Sequence, residues 1–111
     1  MGNLTKFNDI LMNANDLCWK EYLFLPKDKN WSLKSICSLI DWDDLDDEDL
    51  WEDGETPQFA IDNNLIYALN MATIQDIVNN AKQQRPQCSE ADLFEAFMYY
   101  YKNDAFITFS E

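Results

Sequence analysis

Residues 65–102 read LIYALNMATIQDIVNNAKQQRPQCSEADLFEAFMYYYK, and the change of hydrophobic period along them decides the fold class. Leu65 to Leu69 is an apolar run of strand length, read as a buried strand. From Thr73 the period changes: Ile74, Ile77, Val78 and Ala81 recur on one helical face, Thr73 and Asp76 stand at the spacing of a capping box, and Arg85-Pro86 ends the helix. Ser89 and Asp92 repeat that spacing ahead of a second helix with Leu93, Phe94, Phe97, Met98 and Tyr101 inward. Its early acids, Glu90 and Asp92, favour the positive end of the helix dipole, and Lys102 suits the other end. A strand followed by two one-sided helices predicts helices laid on a sheet.

Working outward, Ser35 to Ile40 forms a second apolar run with β-branched residues, read as another strand, and Asn103-Asp104 turns the chain into Ala105 to Phe109, read as a terminal strand. Near the start, Phe7, Ile10, Leu11, Ala14, Leu17 and Cys18 keep helical spacing, with Asn3 or Thr5 available as the N-cap and fraying expected at 13–16. Tyr22 to Leu25 leads into Pro26, which stops regular structure. Pro26 to Asn30 is a polar turn, Phe59 to Ile61 a helical turn and Asp62 to Asn64 a bend. The expectation is a single α+β domain over 1–111, a small sheet of about three short strands packed by about four helices. Tyr99, Tyr100 and Tyr101 with Phe94 and Phe97 could be taken for a base-stacking platform, but their helical spacing assigns them to packing, with Tyr99 or Tyr100 left for the surface.

Composition narrows the chemistry. At 111 residues the chain can bury a core without staples, and 47% hydrophobic with 14% aromatic residues rules out an acidic disordered segment. The absence of histidine removes the Ser-His-Asp triad, the Cys-His pair and the HExxH zinc site. Cys18, Cys37 and Cys88 have neither metal-ligand spacing nor an even count, and are read as reduced core thiols. No pair among the 21 acids is singled out for acid/base work, so the chain is read as a non-enzyme that needs no cofactor. No apolar run is long enough to span a bilayer, the first residues lack the apolar core of a signal peptide, and Lys6 stands where an N-myristoylation motif wants Ser or Thr. A cytoplasmic protein without a membrane partner is expected.

The charge is unevenly placed. Residues 41–55 hold ten of the 21 acids and no base, so without them the rest of a chain of net charge −13 carries only −3. A patch of −10 repels phosphate, which argues against direct nucleic-acid binding, and attracts basic surfaces. Trp42, Leu45, Leu50 and Trp51 are set among the acids. Trp residues are frequent interface anchors, although Leu45 and Trp51 could instead tie the segment to its own core. The candidate partner-binding set is therefore Asp41, Trp42, Asp43, Asp44, Asp46, Asp47, Glu48, Asp49, Trp51, Glu52, Asp53 and Glu55. Counting Asp44 as position one, Asp44, Asp46, Glu48, Glu52 and Glu55 fall at positions 1, 3, 5, 9 and 12 of an EF-hand loop. Position six, where the turn demands Gly, is Asp49, so no metal site is assigned.

Tyr22 to Pro26 with Trp31, then Cys37 to Asp41, Gln75 to Val78, Gln84 with Pro86, and Ala96-Phe97 through Tyr99-Tyr100 to Asp104–Ile107 occur here in one order. Across nearly the whole chain this pattern resembles a family of small, acidic, uncharacterised bacterial domains. The type of protein is similar to the immunity proteins of contact-dependent growth inhibition and related polymorphic toxin systems. The resemblance implies no catalytic residues. It implies a partner: the C-terminal toxin domain of a cognate effector, a basic nuclease by charge complementarity, with the chain a monomer or in a heterodimer with that toxin. Two other readings stand beside it, an acidic adaptor or structural protein-binding module and a divalent-cation-binding protein.

Overall fold

The structure, a computed structural model, describes residues 4–52, 54 and 56–109, with the side chain of Asp44 also outside the description. The ordered elements are β1 (Leu4–Lys6), α1 (Phe7–Met12), β2 (Glu21–Pro26), β3 (Ile36–Asp41), α2 (Gln58–Asp62), β4 (Leu65–Asn70), α3 (Met71–Gln84) and α4 (Glu90–Asn103). Short 3-10 turns lie at Ala14–Asp16, Trp42–Asp44 and Asp47–Asp49. The four strands form one antiparallel sheet in the order β1-β3-β2-β4, so the α+β expectation holds.

Both faces of this sheet are covered, and the two covers differ. On the inner face lies the main core, where Leu23, Leu25 and Cys37 of the central strands meet Phe7 and Leu11 of α1, Ile74, Ile77, Val78 and Ala81 of α3, and Leu93, Ala96 and Phe97 of α4. Phe97 is its hub. Its ring stands edge-on to Phe7 at 4.7 Å and stacks on Tyr101, while the Trp31 ring stands edge-on to Phe97 and to Tyr101. Such aromatic pairs contribute about 0.5–1.5 kcal/mol beyond their buried area. Trp31 also donates its indole N–H to the Pro26 carbonyl at 2.7 Å, so this buried polar group is satisfied. On the outer face Phe24, Ile40 and Leu65 pack under Ala60 and Phe59 of α2 and under Leu45 of the acidic segment.

Several sequence expectations are met and others are corrected. Ser89 caps α4 as foreseen: the Asp92 N–H donates to Ser89 Oγ and the Ser89 N–H to Asp92 Oδ2, each at 3.1 Å, and Arg85 ends α3. The start of α3 lies earlier than the Thr73/Asp76 reading. Asn70 is the cap, its Oδ1 accepting from the Thr73 N–H at 2.8 Å, because fully buried Met71 must already turn inward as β4 ends. The first helix stops at Met12 and its N-cap is Lys6, without a side-chain bond; Thr5 lies in β1 and Asn3 lies outside the described residues. Cys18 falls beyond that helix and is exposed, so of the three thiols read as core only Cys37 is fully buried and Cys88 is half-buried.

The terminal strand does not form. Residues 105–109 pair with no strand, and their backbone is held by a side chain: Gln84 donates Nε2–H to the Ile107 carbonyl at 2.8 Å and accepts the Phe109 N–H on Oε1 at 2.9 Å. A Gln on α3 thus imitates a neighbouring strand, a case of β-propensity overridden by its surroundings. Two strands went unread for opposite reasons. β1 has only three residues, too few to show a period, and β2 is central and covered on both faces, so its apolar run does not alternate.

Candidate partner-binding surface

The acidic segment starts as the end of β3. Asp41 is the last strand residue, and its carboxylate accepts the Asp43 N–H at 2.9 Å, starting the first 3-10 turn. The Asp46 N–H donates to Asp49 Oδ2 at 2.9 Å, which fixes the second turn. These acids shape the backbone before they meet any partner, since short carboxylates compete well for nearby N–H groups. Beyond them Leu50 and Pro57 form an isolated antiparallel bridge, and the Trp51 N–H donates to the Thr56 carbonyl at 2.7 Å. Gly54 turns the chain between these arms at φ 72°, a left-handed value that disfavours any other residue.

The segment is therefore anchored at both ends and in the middle, and Leu45 is its tie to the outer core. Trp51 is not: it stays 39% exposed, and Trp42 36% exposed, so both indoles can reach a partner. Asp43, Asp46, Asp47, Glu48 and Glu52 are exposed, while Asp41 and Asp49 are half-buried by their turn-forming roles. Asp53, Glu55 and the Asp44 side chain lie outside the described residues. Among the described residues no Lys or Arg forms an ion pair with this segment; the ion pair found among them is Arg85–Asp92, at 3.1 Å and 30 or more residues further along the chain. Among the described residues no group of three potential metal ligands converges either.

The structure brings to this surface three aromatics that the sequence reading left out. Tyr22 of β2 stands edge-on to Trp42 at 5.8 Å and to Tyr67 of β4 at 5.7 Å, and Tyr67 continues to Phe24 at 6.0 Å. Trp19, 60% exposed, joins Tyr22 and Trp42 in lining a cleft of about 270 Å³ together with Lys20, Asp41, Asp43, Asn70 and Ala72. A strand assignment for Tyr22 to Leu25 would have placed Tyr22 and Phe24 on one face. Trp19 carries no such signal, because it sits in an irregular stretch before β2. Tyr99 is exposed as expected, and Phe94, Phe97 and Tyr101 pack as core, so no stacking platform exists on α4.

Cys37 offers no reactive thiol. Burial, with a smaller contribution from the charge of Asp9, pushes its pKa up to about 12. Burial also raises Cys88, whose S–H donates to the Arg85 carbonyl. Among the described residues no helix is long and apolar enough to cross a membrane.

Several of the residues that carry the family resemblance are architectural, while Tyr22 and Asp41 line the cleft. Gln75 donates to the Ala14 and Leu17 carbonyls, Gln84 holds the C-terminal segment, and Trp31, Cys37 and Phe97 are buried. No curated protein and no solved structure matches the chain. The sequence model of a family described as a domain of unknown function, DUF7716, matches residues 4–109, and the chain belongs to that family.

Proposed function

We propose that this protein is an immunity protein, which binds the toxin domain of a cognate bacterial effector in the cytoplasm and neutralises it by covering its active site. The observation that supports the reading is the acidic segment itself: a local excess of negative charge, uncompensated by ion pairs among the described residues, on a backbone tied down by Leu45 and the Leu50–Pro57 bridge. Self-repulsion in such a patch costs stability, and a basic partner offsets it. A nuclease that grips phosphates with Lys and Arg presents the complementary surface, so the acids occupy the place of the nucleic-acid backbone and exclude substrate without chemistry of their own. Association is then fast and weakens as salt rises. The partners form a heterodimer, and this chain contributes no catalytic residue.

The test is a growth assay in which the C-terminal domain encoded immediately upstream is expressed alone and with this chain. Toxicity relieved only by this chain establishes the pair. A harmless neighbour, or one that stays lethal beside this chain, removes the cognate-immunity reading for that pair and favours an acidic adaptor.

A further inference from the structure

We infer that the cleft between Trp19, Tyr22 and Trp42 is an anchor pocket for one arginine side chain of a basic protein partner. The inference deepens the partner-binding reading above and rests on it for the identity of the occupant as a protein. The cleft, at about 270 Å³, is slightly smaller than small-molecule sites, roughly 300–1,000 Å³, and suits a single long side chain. Its lining combines the aromatic side chains of Trp19, Tyr22 and Trp42 with the carboxylates of Asp41 and Asp43. A guanidinium answers both features: its plane stacks on indole while its forked N–H groups reach carboxylates.

Three further observations fit this occupant. Two of the three rings are held in place before binding, since Trp42 meets Tyr22 edge-on and Tyr22 meets Tyr67, so little of their side-chain entropy is lost when a partner arrives. A cation already uses the surface: the Lys20 ammonium lies 5.6 Å from the centre of the Trp19 ring. The charged groups lining the cleft are the carboxylates of Asp41 and Asp43 against the single ammonium of Lys20, and the acid-rich 41–55 segment leads away from it, so the balance draws in a positive side chain and repels a carboxylate. The anchor lies at one end of the acidic segment, which makes the acids the steering surface and the cleft the point of tight contact.

The test uses the full chain labelled with ¹⁵N and a blocked hexa-arginine peptide, followed through the four indole N–H signals. The Trp19 and Trp42 signals are expected to shift and saturate while Trp31, bonded to the Pro26 carbonyl, stays still. Hexa-lysine should bind several-fold more weakly at equal charge, since an ammonium neither stacks nor forks. Trp42→Leu should lower hexa-arginine affinity by about tenfold and Trp42→Phe should keep most of it. Trp19→Ala, at an exposed position with little bearing on folding, should weaken binding as well. Shifts confined to the amides of residues 46–49, or Trp42→Leu binding as tightly as the parent, overturn the pocket. Growth protection separates the two readings: protection retained by a Trp19→Ala/Trp42→Leu chain that has lost the peptide overturns the anchor and leaves the immunity function standing. Saturable indole shifts in a chain that protects against no neighbour support the anchor and remove the immunity role.

Discussion

Ser38 sits in the middle of β3, opposite Leu4 of β1 and Phe24 of β2, with no solvent exposure, and its hydroxyl has no hydrogen-bond partner among the described residues. Replacing it by alanine is therefore expected to stabilise the protein, which is unusual for a buried substitution. A buried hydroxyl left unpaired costs about 1–3 kcal/mol of desolvation that alanine does not incur. Against this stands the small gap left by one oxygen atom, on the order of 0.5–1 kcal/mol in a close-packed interior. The net expectation for Ser38→Ala is a gain of roughly 0.5–2 kcal/mol, and each kcal/mol raises Tm by about 4–8 °C in a domain near this size. Urea unfolding at fixed pH gives the difference directly, provided the slope against denaturant is unchanged. A loss of stability of about 0.5 kcal/mol or more would refute the reasoning, since it would mean that the hydroxyl is bonded in the folded protein.

Four more outcomes follow from particular residues. Gln84→Ala removes both bonds to residues 107 and 109, so the Phe109 amide should exchange with solvent much faster and stability should fall by about 1–2 kcal/mol; unchanged exchange at Phe109 would show that something else holds the segment. Cys37 keeps its proton to about 12 in the folded state against an ordinary value of 9.0, so between those values the unfolded chain binds fewer protons and stability falls as pH rises. Cys37 contributes up to about 1.4 kcal/mol per pH unit to this decline, so the slope should lessen in Cys37→Ala to the part left by Cys88 and Tyr67, which burial also raises; an identical alkaline slope in that variant counts against it. Alkylation at neutral pH should modify exposed Cys18 first and spare Cys37 until unfolding, as read by mass spectrometry. Reversing Asp43, Asp46 and Asp47 to Lys should slow association with a basic partner about tenfold or more at low salt and much less at high salt, and unchanged kinetics at low salt would take these acids out of the interface.

The division between what is local and what is distant runs through every element. α4 was legible because its signals are local: Ser89 and Asp92 lie three residues apart, and the apolar stripe through Leu93 and Phe97 repeats at the helical period. The acidic character of 41–55 was equally plain, since charge density needs no tertiary knowledge. β2 was hidden because a strand buried on both faces loses its alternation, and residues 105–109 were misread because strand composition cannot say whether a neighbouring strand is present. The same limit applies to the surface. Sequence alone singled out Trp42 and Trp51 by their acidic neighbours, and it determined that this end of the protein carries the charge. Only the tertiary structure decided that Trp19, Tyr22 and Tyr67 gather beside Trp42, because the antiparallel pairing of β2 with β3 and β4 brings together rings that are 20 or more residues apart in the chain. It also decided that Leu45 holds the acidic segment down while Asp43, Asp46, Asp47, Glu48 and Glu52 face water, since burial follows from what the sheet's outer face leaves uncovered.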